Sequence, residues 1–175
     1  MRIVCFVLLL TLVMLSLAIA QTPLDPTMEA RLKKVFPEAA SFSTKQTMPL
    51  PHYVAYTGSG ASRTVAGYIF WTTEIEPLER GYDGPIKMLV GLDVKGILTG
   101  VLVVEHHEPY GSFSVEPPQF ARQFQGKNIR DKFKVGEDVD AVSRASITIN
   151  SAAKVIRNGS RRVANALIAP PAPAK

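Results

Sequence analysis

The segment Asp140-Ala-Val-Ser143-Arg144-Ala-Ser146-Ile-Thr148 places an acidic residue and two small hydroxyls, three apart, directly before an amphipathic run from Ile149 to Leu167. The first turn of a helix has N–H groups without intrahelical partners and carries a partial positive charge, so it favours an anion such as phosphate. A hydroxyl at that point can bind a phosphate group or be esterified by one. The local pattern fits an ordinary cap at least as well, because Ser and Thr are preferred at helix starts.

Glu105-His106-His107-Glu108 invites a metal reading. Neighbouring histidines on a strand point to opposite faces, so only one faces a given site. There is no helical HExxH spacing, and a dedicated zinc site is not expected. Strand-end packing or solvent exposure accounts for His106, and the isolated His52 needs no functional explanation. No serine or histidine has a specified partner from which a catalytic triad can be built. Gly58-Ser-Gly60 lies between strand-like runs and reads as a hairpin turn, not a dinucleotide loop.

The elements that must position these residues are legible in outline. Asp25-Pro26 followed by Met28, Leu32, Val35 and Phe36 predicts a short amphipathic helix closed by Pro37. Tyr53 to Tyr56 and Thr64 to Trp71 predict a hairpin. Gly81-Tyr82-Asp83-Gly84-Pro85 is a dense turn signal. Ile86 to Val94 and Ile97 to Glu105 predict two strands whose continuous apolar stretches suggest a central place, covered on both faces. Pro117 to Phe124 suits a short helix with Phe120 and Phe124 paired, and Asp131 to Val135 a last short strand. The final helix puts Ile149, Ala152, Ala153, Ile156, Val163 and Leu167 on one face and turns Arg157, Arg161 and Arg162 largely to solvent. Gly159 weakens it locally, and the helical setting argues against use of the Asn158-Gly159-Ser160 glycosylation sequon. The expected class is α+β: an antiparallel sheet with a packed C-terminal helix and small edge helices.

The termini and composition bound the setting. Met1-Arg2, the uncharged apolar block Ile3 to Leu17, and Ala18-Ile19-Ala20 have the form of a secretory signal cleaved after Ala20. The block is short for a membrane span of roughly 20 residues, with a retained anchor as the alternative. The expected organisation is a signal peptide over 1–20, one domain over 21–168 and a Pro/Ala-rich, disordered tail over 169–175. Cys5 is the only cysteine, so the exported chain has no disulfide and no thiolate ligand for zinc or iron–sulfur. The formal charge of +5 drops by one with Arg2, and the remaining basic residues are scattered, which argues against a nucleic-acid partner.

Three pieces in order make a more specific pattern: Gly81-Tyr82-Asp83-Gly84-Pro85-Ile86, the strand pair ending Glu105-His106-His107-Glu108-Pro109, and Asp140-Ala-Val-Ser143-Arg144-Ala-Ser146. Together they resemble the flavin mononucleotide (FMN)-binding domain family of periplasmic electron-transfer subunits, including those of Rnf-type and sodium-pumping quinone reductases. The resemblance runs from Gly67 to about Leu167 and is nearest to the amino-terminal domain of NosR-type flavoproteins. In that family the last motif reads acidic residue, two spacers, Ser or Thr, Gly, Ala, Thr. Its final hydroxyl is joined to the FMN phosphate by a flavin transferase that uses FAD and Mg²⁺.

The resemblance implies Ser146 as acceptor, Asp140 as the acidic recognition residue and Ser143 as a supporting hydroxyl, with Thr148 following in the same turn. This chain departs from the family at Arg144, where glycine is usual, and at Ser146, where threonine is usual. Serine keeps the nucleophilic oxygen. Arg144 either pairs with the phosphodiester or obstructs the transferase. Tyr82 becomes a candidate for stacking on the ring (turn packing being the ordinary alternative), Gly84 for close backbone approach, and His107 or Glu108 for hydrogen bonds to ring or ribityl chain. The implied protein is an exported FMN electron carrier, with the FMN covalent, rather than a stand-alone enzyme. Its implied partners are the flavin transferase and membrane or periplasmic redox proteins bearing iron–sulfur or haem centres. The alternative is a non-redox periplasmic ligand-binding or sensory module on the same fold.

Overall fold

The computed structural model describes residues 24–168, so the expected signal peptide and the whole Pro/Ala tail lie outside the described residues. Helix α1 (Pro26–Val35) begins as its sequence predicts: the Asp25 carboxylate accepts the Met28 N–H at 3.0 Å, and proline occupies the first turn, where an N–H has no partner to lose. Five strands follow the chain in spatial order, β1 (Ser41–Phe42), β2 (Tyr53–Thr57), β3 (Thr64–Trp71), β4 (Lys87–Asp93) and β5 (Leu98–Glu105), every pair antiparallel. Three short helices, α2 (Thr72–Ile75), α3 (Gly111–Ser114) and α4 (Pro118–Arg122), sit at strand ends and in the long connection before α5 (Ser146–Leu167). The α+β class read from the sequence is the one observed.

Alternation along β3 and β4 divides the apolar residues between two cores. Phe70, Met88, Val90 and Leu92 face α5 through Ile149, Ala152, Ala153 and Ile156. Ile69, Trp71 and Leu89 face the opposite way, toward Leu32, Val35 and Phe36 at the end of α1. The α1 end lies against an unusually flat patch. Gly91 and Gly100 are cross-strand partners, and the Val35 carbonyl would sit 2.6 Å and 2.9 Å from a Cβ at those two positions. The Thr99 hydroxyl donates to that carbonyl at 2.6 Å.

Three expectations are corrected. β4 is central and buried on both faces, but β5 is an edge strand whose first residue alone pairs outward, with Gly126 and Lys127. Its apolar run reports that α1 and α4 cover its faces; edge position is a matter of backbone pairing, which side chains do not encode. Residues 131–135 form no strand. Phe133 has φ 52°, and the Asp138 carboxylate accepts the N–H groups of Phe133 and Lys134 at 3.0 Å and 2.6 Å, curling the chain into a loop. Burial pushes the Asp138 carboxyl up, but those two N–H groups and the Lys127 ammonium outweigh it and hold it below its ordinary value. The α5 arginines are not simply solvated. Arg161 donates to the carbonyls of Ile129 and Asp131, and Arg162 to the carbonyl of Ile75 and the carboxylate of Glu76, tying loop and α2 to the helix. Gly159 meets the Phe70 ring, where a Cβ would lie 2.7 Å away, and Ser160 of the sequon is fully buried.

Candidate functional site

Three segments remote in sequence meet at one carboxylate. Glu108 is buried just past the end of β5. One of its oxygens accepts the Tyr82 N–H at 2.9 Å, the other the Asp83 N–H at 3.1 Å, and the Thr148 hydroxyl from the first turn of α5 donates a short bond to the first. A buried carboxylate is tolerable because it is satisfied by these donors. The turn is shaped to reach it. A Cβ on Gly81 would lie 2.3 Å from a Glu108 oxygen, so only glycine allows the turn to close on the carboxylate. The Gly81 N–H donates to the Gly84 carbonyl at 2.7 Å, and Gly84 has φ 139°. Nothing lies within 4 Å of a Cβ at Gly84, so its glycine answers to backbone conformation and not to a close contact.

Around this junction the side chains diverge. Tyr82 is 68% exposed, its backbone held while its ring is free of the turn's packing. His107 is exposed beside Glu108. His106 is half-buried: its Nδ1 accepts the Glu108 N–H at 3.2 Å, its Nε2 lies 3.2 Å from Glu116, and its ring backs onto Gly111. That is strand-end packing, as expected from the sequence. His52 is buried with Nδ1 2.8 Å from the Leu50 carbonyl and its ring edge-on to Tyr68. Among the described residues no group of three or more His, Cys, Asp or Glu is arranged to hold a metal ion.

The approach to α5 is open. Asp140, Ser143 and Arg144 are exposed, and the Asp140 N–H donates to the Gln123 side chain at 2.7 Å. Arg144 has φ 66°, a left-handed conformation that a non-glycine residue adopts only at a cost. The helix starts at Ser146, three residues before the expected apolar run, and its N-cap is Ala145 with no side-chain cap. The capping reading of these hydroxyls therefore falls away. Ser146 stands exposed in the first turn, while Thr148, two residues on, is buried on Glu108. The two hydroxyls of one turn have opposite fates because successive helical residues are about 100° apart.

Sequence reasoning misses two features. The rings of Tyr110 and Phe113 pair at 5.3 Å, both exposed, on the short loop and helix following Glu108, and Ile147 is 57% exposed next to Ser146. Large apolar groups left exposed in this way are a feature of the tertiary structure that no local pattern announces. The second is a groove of about 800 Å³ into which Ser146 opens. Lys154, Arg157 and Arg161 line it from α5, Arg130, Lys132 and Lys134 from the preceding loop, and Arg80 beside Glu79 from the far wall. The arginines of α5 were visible in sequence; their convergence with Arg80 and Arg130 was not.

Comparison with known proteins bears on this region. The sequence model of the FMN-binding domain family matches residues 81–160, which include the turn, Glu108 and the start of α5. A subunit of the ion-translocating oxidoreductase complex of Haemophilus influenzae is 49% identical over 47 residues, covering 27% of this chain and 21% of that protein. Its counterpart in the same complex of Vibrio vulnificus is 29% identical over 119 residues, 62% of this chain and 53% of that protein. The regulatory protein NosR of Pseudomonas aeruginosa is 25% identical over 166 residues, 89% of this chain and 22% of that protein. The chain thus spans between about a fifth and a half of the length of these relatives.

Proposed function

From a chain whose residues 81–160 belong to the FMN-binding domain family, we propose an exported electron carrier with FMN linked through its phosphate to the Ser146 hydroxyl. The observation that carries this reading is the exposed, uncapped Ser146 in the first turn of a 22-residue helix, opening into a cationic groove. Free N–H groups, the helix dipole and the nearby cations all favour an anionic phosphodiester there. A separate flavin transferase acts on this hydroxyl with FAD and Mg²⁺. Ser146 Oγ forms the new P–O bond to the flavin-side phosphorus, the pyrophosphate bond breaks, AMP leaves, and the hydroxyl proton is lost. Asp140, exposed ahead of the helix, serves transferase recognition, with Ser143 beside the acceptor.

The bound flavin supplies electron transfer in single or paired steps. The chain's own residues hold and shield it. Glu108 fixes the Tyr82 turn and Thr148 rather than reaching out, so its part is positional. Tyr82 offers an exposed ring for stacking, and His107 an exposed imidazole for hydrogen bonding. Membrane or periplasmic proteins with iron–sulfur or haem centres are the proposed electron partners. Tethering suits export from the cytoplasm, where a dissociated cofactor is diluted and not replaced.

Arg144 favours one competing reading, a non-redox binding module: a bulky residue stands where the attachment motif has glycine. Intact mass of the full chain co-expressed with a flavin transferase decides between them. A gain of one FMN less one water, lost in Ser146→Ala and mapped to the Ser146 peptide, is the expected result. An unchanged mass, or a flavin on Thr148, overturns the assignment.

A further inference from the structure

We propose that the cationic groove beside Ser146 is the docking surface for an acidic protein, the electron-exchange partner of this site. The role as an electron-exchange surface rests on the reading of Ser146 given above; the docking itself does not. Seven basic side chains line the groove against a single acidic one, Glu79. The lining runs along α5 from Ser146 to Arg161, fifteen residues, or about 22 Å at 1.5 Å per residue, and its α5 cations, Lys154, Arg157 and Arg161, lie in the half away from Ser146. One phosphodiester carries one negative charge and occupies only the Ser146 end. The remaining cations call for an extended anionic surface.

The groove is also held in shape before anything docks. Lys154 pairs with Glu79 at 2.7 Å, and Arg161 is fixed by the carbonyls of Ile129 and Asp131. Lys132 and Lys134 share Glu137 at one edge. Among the described residues Arg80, Arg130 and Arg157 have no ion-pair partner: Arg80 and Arg130 are exposed, while Arg157 is held by the Asn158 side chain at 3.1 Å and the Lys132 carbonyl at 3.4 Å with its charge uncompensated. Fixed cations lose little freedom on association, and a patch of one sign raises the encounter rate with its opposite. A lipid surface is less suited. Interfacial binding inserts several apolar side chains between the cations, whereas of the exposed large apolar residues only Ile147 lies in this lining, next to Ser146, and Tyr110 and Phe113 lie outside it.

The test uses the full chain and two small redox proteins as probes, an acidic plant-type ferredoxin and a basic cytochrome c. Binding of unflavinylated protein to each is measured by surface plasmon resonance at roughly 0.02 M and 0.3 M salt. The ferredoxin is expected to bind at low salt and to lose about tenfold or more in affinity at high salt, while cytochrome c does not bind. Substituting Arg80→Gln, Arg130→Gln and Arg157→Gln together should reproduce that loss of about tenfold. Lys34→Gln, Lys95→Gln and Arg122→Gln, which remove the same charge elsewhere, should stay within about twofold.

Equal losses in both triple variants, or a wild-type affinity insensitive to salt, overturn the proposal; the second result needs no variant to fold. Competition of the ferredoxin by millimolar inorganic phosphate overturns it in favour of a small-anion site. Tighter binding to phosphatidylglycerol vesicles or to duplex DNA overturns it in favour of those surfaces. Because the binding arm needs no flavin, groove-specific docking without flavinylation sinks the cofactor reading alone. Flavinylation without groove-specific docking sinks this proposal alone.

Discussion

At the scale of single residues, Arg144 and Ser146 divide the work of one short segment. Arg144 occupies φ 66°, where a side chain's Cβ crowds the following carbonyl at a cost of about 1–2 kcal/mol. Glycine relieves that strain but adds roughly 0.5–1 kcal/mol of unfolded-state entropy, so the two terms nearly offset. Arg144→Gly is therefore expected to be neutral to slightly stabilising, whereas Arg144→Val, branched at Cβ, should lose about 1 kcal/mol or more. Urea unfolding of the two variants checks this, and equal destabilisation by both would show that the arginine side chain itself supports the loop. The conformation gives a physical reason for the glycine in the family's motif: the chain must turn through the left-handed region to present the next hydroxyl at the helix start.

At the scale of elements, the Glu108 carboxylate is what joins the Gly81–Gly84 turn, the end of β5 and the first turn of α5. Glu108→Ala leaves two backbone donors and the Thr148 hydroxyl without an acceptor in a buried place. The expected loss is about 3 kcal/mol. Glu108→Gln keeps one oxygen, so Tyr82 and Thr148 retain their acceptor while only Asp83 faces an amide nitrogen; about half that loss is expected. Hydrogen exchange adds the local reading. The amides of Tyr82 and Asp83 should lose protection in Glu108→Ala while those of β3 and β4 keep theirs. Uniform loss across the sheet would mean that Glu108 supports the whole fold and not this junction.

At the scale of the whole molecule, the sheet is sandwiched between α5 on one face and α1 on the other, and the two interfaces are built differently. The α5 side is a broad apolar core with Phe70, Phe120, Phe124 and Phe133. The α1 side depends on close backbone approach, with the Val35 carbonyl over the Gly91–Gly100 pair. Gly91→Ala would drive a methyl group to 2.3 Å from the Thr99 hydroxyl and 2.6 Å from that carbonyl, so the α1 end must lift. The expected cost is about 2 kcal/mol or more, read as a lower urea midpoint. Because the Ser146 region lies at the α5 side and the strand ends, the flavin attachment proposed at Ser146 should be as complete in a folded Gly91→Ala protein as in the unsubstituted one. A loss of attachment in that variant alone would tie the α1 interface to the site.

Local chemistry alone determined a good deal of this protein. The Asp25-Pro26 start and apolar spacing of α1, the β-rich runs of β2 to β5, the glycine-rich turn at 81–85 and the apolar face of α5 all express preferences within a few residues. The three motif pieces likewise stand in order along the chain, each complete within a short run of residues. What lay beyond the sequence is what depends on partners distant along the chain. The bonds from Tyr82 and Thr148 to Glu108 span 26 and 40 residues. The apolar run of β5 registered two covered faces but not an open edge, and Asp131 to Val135 looked extended until Asp138 gathered its N–H groups. The basic groove is the clearest case. Arg80, Arg130 and Arg157 look scattered along a line of residues, and only the docking of α5 against the loop and the turn brings their charges onto one surface, since electrostatic fields add in space and not in sequence.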